Sequence, residues 1–166
     1  MFQDALALHR RGRLEDAAQA YESVLASDPE HVDALIHLGV LRLGQGFPDK
    51  AETLIGRAAA IAPHSPEAHA NLAAALQAMR RYAEAVTHYR RAFALRPGML
   101  DAQFGLASCL QALDQHTEAI ACYEALLAAA PKHPEANFGL ATLFERLGHS
   151  DEAVLRYRDA LAADPD

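Results

Sequence analysis

Five residue registers recur every 34 positions along the chain. Pro29 is followed by Pro63, Pro97, Pro131 and Pro165, and Ala17 by Ala51, Ala85, Ala119 and Ala153. A third register runs Tyr21, Ile55, Tyr89, Tyr123, Tyr157, and a fourth Leu38, Leu72, Leu106, Leu140. Beside each of those leucines stands a small residue: Gly39, Ala73, Ala107 and Ala141. A period of this length marks one supersecondary unit copied in tandem. No single copy can bury its own apolar face, so the copies must stack.

The third copy, SPEAHANLAAALQAMRRYAEAVTHYRRAFALRP, reads as two helices. Ser65 can cap the first, Pro66 suits its first turn and Glu67 complements the positive helix end. Leu72 and Leu76 recur at helical spacing, and Arg80–Arg81 mark the turn. Ala85, Tyr89, Ala92 and Phe93 are expected on the buried face of the second helix, which Pro97 ends. Helices cross closely where side chains are small, which sets Gly39 or Ala73 opposite Ala51 or Ala85.

Composition agrees with packed helices. Half the chain is hydrophobic (51%), much of it alanine, and only 7% is aromatic, which suits a sheet poorly. The formal net charge of −7 argues against a nucleic-acid surface or an anionic membrane. No apolar run is long enough to span a bilayer, and no membrane insertion is expected. Cys109 and Cys122 form no disulfide framework and read as small buried fillers, which fits a reducing, cytoplasmic setting.

The pattern resembles the tetratricopeptide repeat, a helix-turn-helix unit of this length. The resemblance covers essentially the whole chain. It implies an all-α, right-handed superhelical solenoid of about five such units: a single array over 1–166 with units near 1–31, 32–65, 66–99, 100–133 and 134–166. The family's frequent Trp is replaced by Leu35, His69, Gln103 and Asn137, and the first unit has Asp4 where the others have Leu. The start of the chain is similar to N-terminal arrays of bacterial multidomain proteins. A substrate-recruitment segment cut at a repeat boundary from a glycosyltransferase- or sulfotransferase-type protein is therefore one alternative.

In this family the first helices line a concave groove that holds protein or peptide partners. The resemblance then assigns the groove to Ile36, His37 and Val40, to Asn71 and Gln77, to Phe104, Ser108 and Gln111, and to Phe138, Thr142 and Glu145. Burial against Ile36, Phe104 and Phe138 would hold a partner, with Asn71, Gln77 and Gln111 bonding it. The carboxylate clamp for heat-shock chaperones is rejected: its lysine positions carry Phe2, Ile36 or Ala70 and Glu67, Asp101 or Glu135. The Asn ladder of O-linked N-acetylglucosamine transferases is matched by Asn71 alone. Glycine inside a helix costs about 1 kcal/mol against alanine, so the repeated Phe104-Gly105 and Phe138-Gly139 demand a reason. Either they leave room for a ligand backbone, or neighbouring helices approach closely there.

A second expectation is self-assembly. Val154, Tyr157 and Leu161 form an apolar end surface through which copies could join as a homo-oligomer. No nucleotide, hydrolase or metalloprotease motif is present, so a non-catalytic adaptor or scaffold without cofactor or metal is expected. His64 and His69 flank Glu67 but fall on different elements and read as solvent-exposed.

Overall fold

The computed structural model describes residues 1–163. Pro165 and the end of the fifth repeat at 166 lie outside the described residues. Those described form ten α-helices and no strand. They are α1 (Phe2–Arg10), α2 (Leu14–Ser27), α3 (Val32–Gly44), α4 (Pro48–Ile61), α5 (Pro66–Ala78), α6 (Tyr82–Leu95), α7 (Leu100–Ala112), α8 (His116–Ala129), α9 (Pro134–Arg146) and α10 (Ser150–Ala163). Within the span expected as one array, two compact units are found, Met1–Arg96 and Pro97–Asp166. Each helix of the N-terminal unit packs on the next from α1 to α6, as does each of the C-terminal unit from α7 to α10. The first helices of successive pairs also touch, α3 with α5 and α7 with α9.

The repeated residues place the helix ends. Helices α2, α4, α6 and α8 stop just short of Pro29, Pro63, Pro97 and Pro131, whose missing N–H cannot continue the ladder. Ser65 caps α5 by accepting from the Ala68 N–H at 3.1 Å. His31 and His133 cap α3 and α9 in the same way through Nδ1, at 3.3 Å each. The turn inside each pair has a residue in the left-handed region: Gly12, Gly46, Arg80, Asp114 and Gly148, one per 34-residue step. Three glycines fit there without strain. Arg80 (φ 59°) and Asp114 (φ 57°) do not, since a Cβ crowds the following carbonyl.

The small-residue crossing forms as the spacing implies. Ala51, Ala73 and Ala85 are fully buried, and a Cβ added to Gly39 would run into Ile55 Cγ1 and lie 3.4 Å from the Ala51 carbonyl. Leu72, Leu76, Tyr89 and Ala92 are buried with them. Phe93 is not: it is exposed, because it lies about 100° around the helix from Ala92, on the flank of the packed face. His69 departs in the other direction. It is 9% exposed, its Nε2 meeting the Pro63 carbonyl at 3.1 Å and its Nδ1 the His88 Nδ1 at 3.1 Å. The position where the family often has Trp is thus a buried site whose polar occupants bond backbone carbonyls. Gln103 Nε2 donates to Cys122 O and Asn137 Nδ2 to Pro131 O. Cys109 is buried as expected, whereas Cys122 is only half-buried, and the two are not joined in a disulfide.

Candidate functional site

A hydrogen-bond ladder links the two helices of a pair. Tyr89 donates to Gln77 Oε1 at 2.8 Å, Tyr123 to Gln111 Oε1 at 3.0 Å and Tyr157 to Glu145 Oε2 at 2.8 Å. In the first pair the Tyr21 hydroxyl lies 3.3 Å from His9 Nδ1. The second pair carries apolar Ile55 and Leu43 at those registers instead. A phenol hydroxyl reaching past a closely packed helix needs a polar partner at the far end. The signal was present in the sequence, because Tyr and a polar residue change together to Ile and Leu.

This ladder alters the roles expected of three groove residues. Gln77 and Glu145 already accept from tyrosines. Gln111 is held at both ends, since its Nε2 also donates to Thr142 Oγ1 at 3.2 Å. Thr142 in turn donates to the Gly139 carbonyl at 2.8 Å. Asn71 Nδ2 donates to the Glu67 carbonyl at 2.9 Å. Glu67 itself pairs with Arg96. These polar side chains brace the helices of their own unit.

Ile36 is only 7% exposed, because α3 packs against α2, α4 and α5 and leaves this position little open surface. It cannot bury a ligand as expected. His37 and Val40 are half-buried. The His37 ring stacks on Tyr21 at 5.7 Å and 7°, and lies 6.1 Å from His9 and 5.9 Å from Phe2. Phe2 also stands 4.8 Å from His31. Burial lowers the His37 pKa, and neighbouring His9 adds to the effect. The neutral imidazole therefore completes a closed aromatic cluster.

The C-terminal unit contains an open cavity of about 880 Å³. Phe104, Ser108 and Gln111 line it from α7, Phe138 and Gly139 from α9, and Tyr157 and Leu161 from α10. Two residues expected at an assembly end, Tyr157 and Leu161, thus share one cavity with the expected groove residues. Val154, half-exposed, does not line it. Phe138 is 56% exposed and meets Tyr157 edge-on at 5.6 Å. Glu135 and Arg146 add charge to the lining; the latter is paired with Asp114 at 2.7 Å.

Gly139 has a structural cause. A Cβ there would lie 2.6 Å from the Tyr123 hydroxyl oxygen and 2.7 Å from Cζ. The glycine lets the Tyr123 ring cross α9 to reach Gln111, so the room beside Phe138 over Gly139 belongs to Tyr123 and not to a ligand backbone. Gly105 is buried.

The cavity offers shape, aromatic surface and few reactive groups. Burial pushes the Tyr123 phenol and the Cys109 thiol up to about 12, leaving both neutral near pH 7. The hydrogen bond to Glu145 raises Tyr157. Among the described residues no three His, Cys, Asp or Glu side chains gather to hold a metal ion. No helix among them is long and apolar enough to cross a membrane.

Comparison with known proteins adds the following. Residues 8–76 and 98–166 each match a family model described as Tetratricopeptide repeat. Residues 45–126 match the model for anaphase-promoting complex, cyclosome, subunit 3. The crystal structure of MamA is similar at a TM-score of 0.86 and 27% identity, covering 97% of this chain and 94% of that one. YrrB, described as a TPR protein with an unusual peptide-binding site, aligns at 0.81 and 20% identity over 98% of this chain and 84% of its own. A thermophilic TPR protein of Thermus thermophilus aligns at 0.78 and 23%, over 99% and 90%. The last two show likeness of fold.

Proposed function

The chain belongs to the tetratricopeptide repeat family, and on that premise we propose that it is a protein-interaction module whose C-terminal unit receives a peptide or protein segment. The observation that carries this reading is the cavity of about 880 Å³ bounded by Phe104, Phe138, Tyr157 and Leu161. An exposed phenylalanine at the mouth of an apolar cavity is a cost to a monomer in water and a gain to a complex. Polar groups around it are bonded within the unit, so a partner meets apolar surface in a rigid frame and loses little entropy in ordering it.

The test is a selection of displayed random peptides on the full chain, followed by titration of an enriched peptide. Phe104→Ala with Phe138→Ala should weaken that peptide at least about tenfold, the usual mark of a binding hot spot. Undiminished affinity would remove the cavity from the account.

Self-association is a second reading, favoured by Leu161 at 70% exposure and half-exposed Val154. It predicts a mass in light scattering that rises with concentration and is restored to the monomer value by Leu161→Glu. A constant monomer mass would dispose of it.

A further inference from the structure

Three 34-residue steps carry the N-terminal aromatic cluster onto the C-terminal cavity. Phe2 maps to Phe104, Tyr21 to Tyr123 and His31 to His133, each residue type unchanged. The geometry is kept too. Phe2 lies 6.0 Å from Tyr21 at 48°, and Phe104 lies 6.2 Å from Tyr123 at 54°. Phe2 lies 4.8 Å from His31 at 31°, and Phe104 lies 5.6 Å from His133 at 25°. Tyr21 meets His9 at 3.3 Å where Tyr123 meets Gln111 at 3.0 Å.

What differs is the content of the frame. His37, whose ring lies flat on Tyr21, maps to Gly139. Leu6 maps to Ser108 and Arg10 to Ala112. The glycine makes room for the Tyr123 ring, and the other two changes remove bulk where Ser108 and Ala112 line the open cavity. The N-terminal unit thus shows, in its own chain, what such a frame holds: a planar ring.

We propose that the C-terminal cavity is an anchor site for an aromatic side chain of a partner peptide, which packs against the Phe104 side of this frame as the chain's own His37 imidazole packs in the N-terminal unit. Because Tyr123 leans over Gly139, the guest ring enters on the side of Phe138, Tyr157 and Leu161. Four aromatic residues bordering one cavity favour edge-to-face and offset contacts with a ring over equal contact with an aliphatic chain. This deepens the binding reading above and rests on it.

The test needs no partner. The full chain, labelled with nitrogen-15, is titrated with p-cresol, 3-methylindole and 4-methylimidazole, and with 3-methylbutanol as the aliphatic control. The expected result is saturable movement of the Gly139 and Tyr157 amide signals, with at least one ring analogue binding about two- to tenfold more tightly than the alcohol. Ser108→Phe, which fills the cavity from α7 with a ring of the chain's own, should abolish that movement. If this variant fails to fold, Phe138→Ala should lower the ring preference to that of the alcohol. Equal binding of rings and alcohol by the wild-type chain would overturn the proposal, as would ring binding unchanged in Ser108→Phe or Phe138→Ala. Peptide capture that depends on Phe138 but tolerates peptides without aromatic residues would sink this inference while leaving the binding reading in place.

Discussion

Phe2, Tyr21 and His31 in the N-terminal unit and Phe104, Tyr123 and His133 in the C-terminal unit are the same side chains at the same registers. Around the first set the chain closes in with His37, and Ile36 is buried beside it in sequence. Around the second set it leaves about 880 Å³ of open space and a Phe138 more than half exposed. The repeat therefore supplies a frame, and a few substitutions decide whether that frame is core or site. Small residues at two registers, Ser108 and Ala112, open it.

The largest effect should come from removing what the two frames share. Tyr21→Ala and Tyr123→Ala each delete a fully buried ring and should cost about 3–5 kcal/mol in denaturant unfolding. Costs differing by more than about 2 kcal/mol would break the equivalence of the two clusters.

Next is Gly139→Ala. The new methyl must displace a buried tyrosine held by Gln111, an overpacking cost of about 1–3 kcal/mol set against about 1 kcal/mol gained from helix propensity. A net loss in unfolding free energy is expected. A gain would mean that Tyr123 is not pinned, and that the space over Gly139 is available after all.

The turn residues give a smaller effect of opposite sign. Arg80→Gly should stabilise by about 1 kcal/mol, since it relieves a left-handed arginine. Asp114→Gly should gain less, because aspartate tolerates this region better and Asp114 also pairs with Arg146. Thermal midpoints of the two variants check the order.

The smallest expected effect is on pH dependence. Burial depresses His37 and His88 below their ordinary values, with His9 and His69 adding to it. The unfolded chain then binds these protons more readily than the folded one. Stability is full above the unfolded value near about 6.5 and declines as pH falls through it toward the folded values. The unfolding midpoint should drop between about pH 7.5 and 5.5, and His37→Asn with His88→Asn should flatten that slope. A slope unchanged in the double variant would show that these imidazoles do not carry it.

Much of the fold is legible in the sequence because it depends on local rules repeated in register. Proline follows the ends of α2, α4, α6 and α8, small residues permit the crossing, and Ser65 caps as its type implies. The site is legible only in part. Phe104, Ser108, Gln111 and Phe138 can be placed on one face by counting, and they do share a cavity. Counting cannot tell that Ile36, on the equivalent face, is covered, since that depends on which helices crowd it. Nor does it show that Gln77, Gln111 and Glu145 are already bonded to tyrosines. Periodicity reports where a side chain points; whether the space ahead is filled is decided by residues far away in the chain.

The most direct measurement is amide chemical-shift mapping of a display-selected peptide over the whole chain. The account predicts movement centred on Phe138, Gly139 and Tyr157, with Ile36, His37 and Asn71 unmoved. Shifts centred on Ile36, His37 and Asn71, with the C-terminal signals still, would contradict it.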